Sequence, residues 1–188
     1  MSEEEVTDKE VVDDIPALDD IPDLEIPDID LEDFDIPEEE ETAVEDESGG
    51  SQTFAWIGSG QGGGRIAKAF YDRGYKKCIA VNTSYHDLDA LDIPIEQRLL
   101  LDVGEQGAGK DMEKGYEAAN KYKQNIFDLM RKVYGNNVDH LFVCVAAGGG
   151  SGSGSSLVLI DIAKKYMKYI GHDNPDARVG VVMSLPTR

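Results

Sequence analysis

Two glycine-rich runs and a shorter third one are the parts of this sequence whose residue types and spacing could do chemistry. The longest, Gly148-Gly-Gly-Ser-Gly-Ser-Gly-Ser-Ser156, follows the most apolar run of the chain. Glycine lets a backbone approach an anion closely, and the N–H groups that open a helix favour negative charge. Together with the hydroxyls of Ser151, Ser153 and Ser155, they could cradle a di- or triphosphate. A flexible linker has a similar composition, but it would not join a buried strand directly to an amphipathic helix.

The other long glycine run, Gly58-Ser-Gly-Gln-Gly-Gly-Gly64, also lies between a predicted strand and a predicted helix. Gly58, Gly60 and Gly63 satisfy the GxGxxG dinucleotide pattern, which is a weak signal alone. No Lys-Ser/Thr pair follows, so this is not a Walker A loop. A dinucleotide enzyme needs no second glycine loop, and it would carry an acidic residue where the second strand ends. Asn82 occupies that region instead.

The elements that must position these loops alternate along the chain. The sequence predicts buried strands at 54–57, 78–81, 98–102, 138–147 and 179–183, and helices after the first, second, third and fourth of them. Asp111 is predicted to cap one long helix that runs to Tyr134. Alternating strands and helices predict an α/β fold, with a Rossmann-like parallel sheet covered by helices on both faces. Ligands of such sheets bind at the carboxyl ends of the strands.

The first fifty residues differ in character from the rest. They contain 23 Asp and Glu residues and one Lys, whereas residues 51–188 are balanced, with 15 acids and 17 bases. Ile-Pro pairs recur among the acids at positions 15, 21, 26 and 36. Proline at this density and like-charge repulsion prevent a packed core, so residues 1–52 are predicted to be a disordered acidic tail and linker before a domain at 53–188. Isolated apolar anchors in such a tail could dock on a basic groove of an adaptor, or the tail could keep assemblies apart by repulsion.

Composition bears on the cellular compartment and on metal and membrane binding. Cys78 and Cys144 sit in apolar runs, which indicates buried thiols in a reducing compartment. No Cys/His set has metal-ligand spacing, the acidic start is unlike a secretory signal, and no apolar run is long enough to cross a membrane. These features predict a cytoplasmic protein with no membrane insertion and no direct binding to nucleic acid.

The loops together resemble one family. The run GGGSGSGS is similar to the signature of the tubulin/FtsZ GTPase superfamily, a Gly-Gly-Gly-Thr/Ser-Gly-Ser/Thr-Gly segment around the phosphates of GTP. Gly60-Gln61-Gly62-Gly63 resembles the first phosphate loop, Asn82-Thr83 a short segment near that site, and Gly107-Ala108-Gly109-Lys110-Asp111 the loop that senses the γ-phosphate. Val181-Val-Met-Ser-Leu-Pro186 resembles the strand that leads to a ribose-contacting loop. Arg65 departs from the asparagine usual in FtsZ.

The resemblance implies a cofactor and a set of contacts. GTP or GDP would bind with Mg²⁺ held largely by phosphate oxygens and waters. Lys110 could pair with phosphate or remain solvated. The nucleotide-binding residues that the resemblance implies, with no catalytic residue and no protein metal ligand in the chain, are Gly58, Gly60, Gln61, Gly62, Gly63, Asn82, Gly107, Ala108, Gly109, Lys110, Gly148, Gly149, Gly150, Ser151, Gly152, Ser153 and Gly154.

What the resemblance implies for function is a GTPase that self-associates head to tail into filaments for cell division or DNA segregation. In this superfamily an acidic Asn-x-Asp-x-x-Asp loop of the next subunit completes hydrolysis, and later segments hold base and ribose. Neither lies within residues 1–188, so the domain is expected to be C-terminally truncated and its GTPase activity to depend on an acidic loop supplied from elsewhere. The alternative is a truncated, non-catalytic GTP-binding homologue that caps or regulates filaments of a full-length partner. A Rossmann-type oxidoreductase is the least favoured alternative.

Overall fold

Five parallel strands form the sheet on which the molecule is built. The computed structural model of the chain describes residues 25, 27–37, 43–45, 47, 49–104 and 107–186. The strands are β1 (Phe54–Ser59), β2 (Cys78–Asn82), β3 (Arg98–Leu100), β4 (His140–Ala146) and β5 (Val179–Ser184). They lie in the order β3-β2-β1-β4-β5, with every neighbouring pair parallel. The predicted parallel α/β fold is therefore confirmed.

Helices cover both faces of this sheet. They are α1 (Gly60–Tyr71), α2 (Tyr85–Asp89), α3 (Met112–Lys121), α4 (Lys123–Tyr134) and α5 (Gly150–Tyr169), with single 3-10 turns at Leu31–Asp33, Ile95–Gln97 and Pro175–Ala177. None of the helices in the described part of the chain combines the length and the apolar character needed to cross a bilayer.

The two faces of the sheet are built from alternate residues of each strand. In β4, Leu141, Val143 and Val145 belong to the large core that the sheet forms with α3, α4 and α5. Phe142 and Cys144 point to the opposite face and pack with Trp56 beside α1. Strand side chains alternate between faces with a period of two, so two buried faces require a nearly continuous apolar run. The predicted buried thiols are confirmed, because Cys78 and Cys144 are both fully buried in this second cluster.

The predicted long helix from Met112 to Tyr134 is two helices. Asp111 does cap α3, since its carboxylate accepts the Lys114 N–H at 3.2 Å. The chain then bends at Tyr122, whose φ of −99° and ψ of 16° separate α3 from α4. The small residues of α3 allow it to pack directly on α5, whereas α4 packs on the core through large side chains such as Phe127.

The two glycine runs are also more helical than expected. Helix α1 begins at Gly60 and α5 begins at Gly150, so most of each predicted loop forms the first turns of a helix. The absence of side chains allows this close packing. A Cβ at Gly63 would lie 2.1 Å from the Cys144 carbonyl oxygen, and one at Gly154 would lie 1.9 Å from that of Met112. These glycines allow α1 and α5 to pack directly against the backbone of β4 and α3, and helix propensity alone does not predict such contacts.

Part of the predicted tail packs on the domain. Residues 1–24 lie outside the described part of the chain, and the expectation of disorder there is not addressed by it. Residues 27–37 differ from that expectation, because Ile29 and Phe34 are buried in the core formed with α4 and α5. The segment cannot form a core of its own, but the domain offers an apolar surface that its side chains can share. The predicted domain boundary between residues 52 and 53 remains a prediction.

Candidate nucleotide-binding site

A cleft of about 360 Å³ opens where the carboxyl ends of β1, β2 and β4 meet. The strand order reverses at this point, because β2 and β3 lie on one side of β1 and β4 and β5 lie on the other. Open α/β sheets bind ligands at such a switch point, where the loops separate and leave a crevice. The cleft is lined by Ser59, Gly60, Gln61, Gly62, Asn82, Asp87, Gly109, Ala146, Gly149, Gly150, Ser151 and Gly152.

The first wall of the cleft is the N-terminus of α5. Gly148 makes the turn out of β4 with a φ of 100°, a left-handed conformation that favours glycine. Gly149 is the N-cap residue, and the Gly150 N–H donates to the Gly109 carbonyl oxygen at 2.9 Å. The N–H groups of Ser151 and Gly152 lie in the first turn, where a helix has no internal acceptors for them. They supply donors and the positive end of a twenty-residue helix to the cleft.

The second wall is the N-terminus of α1, which meets that of α5. Gly60 has a φ of 67°, and a Cβ there would lie 2.9 Å from the Gly152 nitrogen. Any larger residue at position 60 would therefore force the two helix ends apart. Because both helices direct N–H groups and a positive dipole end at one small space, the site favours an anion with several oxygen atoms, such as a polyphosphate.

Two hydroxyl pairs hold these walls together. Ser59 at the end of β1 and Ser155 in α5 share a hydrogen bond of 2.6 Å. Thr83 after β2 and Ser151 share another of 2.5 Å, and the Ala108 N–H donates to the Thr83 hydroxyl at 2.9 Å. The connections after β1, β2 and β3 are thereby joined to the first turns of α5 before any ligand binds, which reduces the ordering cost of binding.

The sequence-predicted residues divide into those that face the cleft and those that support it. The nine that line it are Gly60, Gln61, Gly62, Asn82, Gly109, Gly149, Gly150, Ser151 and Gly152. The eight others lie around it and are Gly58, Gly63, Gly107, Ala108, Lys110, Gly148, Ser153 and Gly154.

Several of these supporting residues act through packing. A Cβ at Gly58 would lie 2.4 Å from the Gly63 carbonyl oxygen, so both glycines bring β1 and α1 together. The Ser153 hydroxyl accepts the Gly148 N–H at 3.2 Å and shapes the turn. The expected phosphate contact of Ser155 is not supported by the structure, because its side chain is 1% exposed and bonded to Ser59.

The third loop closes the cleft from the side of α3. Its Gly109 carbonyl accepts from Gly150, and Ala108 is buried. Lys110 follows the cleft-lining Gly109 in this loop and is exposed. Residues 105 and 106, which precede this loop, lie outside the described part of the chain.

Asp87 is the charged cleft-lining residue that sequence reasoning missed. It lies in the first turn of α2, and its carboxylate accepts from Gln61 Nε2 at 3.1 Å and from Asn82 Nδ2 at 3.5 Å. The Asn82 Oδ1 in turn accepts the Ser84 N–H at 3.1 Å. The available signal was the pattern Ser84-x-x-Asp87, which is typical of a helix N-terminus directly after the Asn82-Thr83 segment.

Asp87 gives the cleft two chemically different sides. Because a carboxylate accepts but does not donate, it holds the Gln61 amide with its NH₂ group toward Asp87, which leaves Gln61 Oε1 as the outward acceptor. Oxygen atoms therefore stand on the α2 side and N–H groups on the α5 side. A hard divalent cation suits the oxygens, while phosphate suits the N–H groups. The residues present thus fit a magnesium-bound polyphosphate.

A second groove of about 340 Å³ adjoins this cleft and shares Gln61 and Asp87 with it. Arg65 and Lys68 of α1 line it, together with Asp92. The Lys68 ammonium is paired with Asp72 at 2.6 Å, whereas Arg65 is exposed. Arg65, which departs from the FtsZ pattern, therefore lines the neighbouring groove and not this cleft.

The strand order and the paired glycine-rich helix ends define a nucleotide-binding protein of the parallel α/β class. The sequence model of the GTPase domain of the Tubulin/FtsZ family matches residues 53–172. The chain belongs to the tubulin/FtsZ family.

Among curated relatives, the chain is 25% identical to the tubulin-like protein TubZ of Bacillus cereus over 154 residues, which cover 76% of this chain and 33% of that protein. The chain thus spans about a third of the length of the curated relatives it matches.

Solved structures show the same similarity. A GDP-bound CetZ1 monomer from Haloferax volcanii is 33% identical with a TM-score of 0.56, covering 60% of this chain and 38% of that one. A GTPγS-bound protofilament of CetZ2 from the same organism is 26% identical with a TM-score of 0.55, covering 70% and 39%. A GTPγS-form protofilament of TubZ from Bacillus thuringiensis serovar israelensis shares the fold, with a TM-score of 0.61 at 22% identity over 75% and 39%.

Proposed function

We propose that this chain binds GTP and GDP with Mg²⁺ in the cleft between α1 and α5, and that it is the nucleotide-binding part of a filament-forming GTPase of the tubulin/FtsZ type. The observation that carries the proposal is the meeting of two glycine-rich helix N-termini, where Gly60 approaches Gly152. Membership of the family supports guanine nucleotides as the ligands, and the CetZ1 and CetZ2 structures were obtained with GDP and GTPγS.

The polyphosphate would lie against the first turn of α5. Ser151 and Gly152 would donate their N–H groups to phosphate oxygens, and the exposed Lys110 would approach the terminal phosphate from the rim. Magnesium would neutralise phosphate charge on the side where Asp87 and Gln61 present oxygen atoms. The protein thereby provides a pre-formed anion site that is balanced by a cation-binding side.

Assembly is the second part of the proposal. The CetZ2 structure is that of a protofilament, and similarity to it at 26% identity supports head-to-tail self-association of this chain within a cytoplasmic filament for cell division or DNA segregation. Sedimentation with GTP, compared with GDP, tests this part. We expect polymer to pellet above a threshold concentration only with GTP, and a chain that stays in the supernatant at all concentrations would contradict self-assembly.

The binding proposal is tested at Gly149. A Cβ there would meet no atom within 4 Å, so a substitution starts from open space. Gly149→Asp adds a carboxylate at the N-cap, which suits the helix but repels phosphate by roughly 1–4 kcal/mol at ~4 Å. Gly149→Asn has the same shape and also caps a helix, but it carries no charge.

We expect Gly149→Asn to bind fluorescent GTP within a few-fold of the parent protein and Gly149→Asp to bind it at least about tenfold more weakly, with equal thermal stability of both variants. Unlabelled GTP and GDP should displace the probe, whereas NAD should not. Equal affinity of the two variants would place the nucleotide elsewhere.

A further inference from the structure

A peptide-like segment of the chain lies along the outer side of α4 and α5. Residues 27–37 form this docked segment, with a single 3-10 turn at Leu31–Asp33. Ile29 and Phe34 are only 2% and 6% exposed, although the rest of the segment is largely exposed. The Phe34 ring stacks on Phe127 of α4, with ring centroids 4.2 Å apart and planes 20° apart. Two apolar anchors five residues apart therefore fix the segment to the helices.

Side chains of α4 bind the backbone of the segment directly. Gln124 makes a double contact with Asp35, because its Oε1 accepts the Asp35 N–H and its Nε2 donates to the Asp35 carbonyl oxygen, both at 3.0 Å. Arg131 Nη2 donates to the Pro37 carbonyl oxygen at 3.2 Å. Contacts of this kind bind a chain of given direction and extended shape, as in sites for linear peptides.

The charges of the two partners are complementary. The segment carries five carboxylates and no base. Lys123 of α4 pairs with Asp33 at 3.1 Å, and Lys165 of α5 pairs with Asp30 at 3.6 Å. The Lys123 ammonium also lowers the pKa of Asp33 below its ordinary value. Ion pairs at the rim of an apolar contact contribute mainly to partner choice and association rate.

We propose that this face of α4 and α5 is a binding site for a linear acidic peptide with two apolar anchors, and that residues 27–37 of a second copy of this chain can occupy it in place of the chain's own segment. The site binds two apolar side chains, a backbone amide and two carboxylates. Another copy of the chain presents the same groups because its sequence is identical. Exchange of an identical element retains every contact and creates a reciprocal pairing of two copies, which is a low-cost route to association. The proposal is independent of nucleotide binding.

Isotopic mixing tests the exchange in the unmodified chain. Unlabelled and ¹⁵N-labelled protein would be mixed over a range of concentrations and treated with a carbodiimide, which joins a contacting carboxylate and amine. Mass spectrometry would then examine the cross-linked peptide pair that contains Asp33 and Lys123. We expect pairs of mixed isotopic composition whose share rises with protein concentration. Pairs of like composition only, at every concentration, would overturn the exchange.

A second experiment tests the site itself. The double variant Ile29→Ala/Phe34→Ala empties the site in the full chain, and a fluorescent peptide of residues 25–38 then serves as the probe. We expect saturable binding to the variant, at least tenfold weaker binding to the parent chain whose own segment competes, and at least tenfold weaker binding of a peptide carrying Phe34→Ala.

The control distinguishes a specific site from charge attraction. A scrambled peptide of the same composition keeps the seven carboxylates of residues 25–38 but loses the spacing of the anchors. Equal binding of the scrambled peptide, or no binding of the native one to a folded double variant, would overturn the proposed site. Circular dichroism establishes whether the variant is folded, and if it is not, the isotopic mixing of the unmodified chain decides the proposal.

Discussion

The hydroxyl oxygens of Thr83 and Ser151 lie 2.5 Å apart and share a hydrogen bond that joins the loop after β2 to the first turn of α5. The Thr83 hydroxyl also accepts the N–H of Ala108, so one side chain connects the loops after β2 and β3 to the first turn of α5. Thr83 is buried, as is Ala108, and the bond between them is buried, whereas the bond to Ser151 is partly buried at the edge of the cleft. The positions of the loops relative to one another thus depend on a residue that does not line the cleft.

Thr83→Val tests this connection. Valine keeps the shape of threonine but leaves the buried Ala108 N–H without its acceptor, which costs about 1–3 kcal/mol. We expect that loss in urea unfolding and a matching decrease in nucleotide affinity. Ser156→Ala is the control, because the Ser156 hydroxyl only bonds back to Ser153 within α5 and its removal should cost less than about 0.5 kcal/mol. Similar losses in the two variants would contradict the special position of Thr83.

Gly154→Ala separates packing glycines from ligand-binding ones. The added methyl group would lie 1.9 Å from the Met112 carbonyl oxygen, and only movement of α3 away from α5 can relieve that contact. Overpacking of this kind costs about 1–3 kcal/mol, and more where backbone must move. We expect a lower melting temperature and weaker nucleotide binding together. Gly149→Ala has free space and should change neither, so equal destabilisation of both would show that the close approach of α3 is not restrictive.

Asp87→Asn tests the division of the cleft into an oxygen side and an N–H side. Removing the carboxylate lowers its repulsion of phosphate, so the variant should bind GTP more tightly than the parent chain in EDTA. It should also gain less affinity when Mg²⁺ is added, because a neutral amide attracts the cation less. Asp89→Asn, an exposed position on the same short helix, is the control. Nucleotide affinity would be measured by titration with and without Mg²⁺. Equal changes in affinity in the two variants would exclude this role of Asp87.

The acidity of Asp161 predicts a pH dependence of stability. Burial raises the pKa of this α5 carboxyl above its ordinary value of 3.8, although Lys165 and Lys164 act in the opposite direction. The Ile29 N–H of the docked segment also favours the charged form, whereas Asp28 disfavours it.

A raised folded-state pKa means that the stabilisation is present below the ordinary value and is lost as pH rises through the folded-state pKa. Asp161→Asn removes this pH dependence. The parent chain should therefore lose stability relative to Asp161→Asn in urea unfolding as pH rises from the ordinary pKa of 3.8 through the raised folded-state pKa. A stability difference that is constant across this range would contradict the assignment.

The strands were predictable because their physical cause is local. A strand buried on both faces must be apolar at nearly every position, and the run from Leu141 to Val145 shows this pattern in the local sequence alone. The cap at Asp111 was predictable for the same reason. The bend at Tyr122 was not, because it depends on how α3 and α4 pack against other elements.

The site was predicted in outline and differed in detail. Glycine is a poor helix former, so the runs after β1 and β4 were expected to be loops. Their helical structure depends on contacts such as that of Gly63 with the backbone of β4, which are distant in sequence. Asp87 was missed for a related reason, since its approach to Gln61 requires α1 and α2 to be placed side by side. The docking of Phe34 likewise depends on a surface that a composition argument about residues 1–50 does not include.

The two buried thiols allow the opening rate of the domain to be measured. Cys78 and Cys144 are inaccessible in the folded sheet, and burial raises the pKa of Cys144 to about 12. Since only the thiolate reacts readily, a disulfide reagent must wait until the sheet opens. The rate of thiol labelling therefore reports how often the domain opens, without any introduced probe. A ligand that holds α1 against β4 would lower this labelling rate, so the native cysteines themselves can report ligand binding.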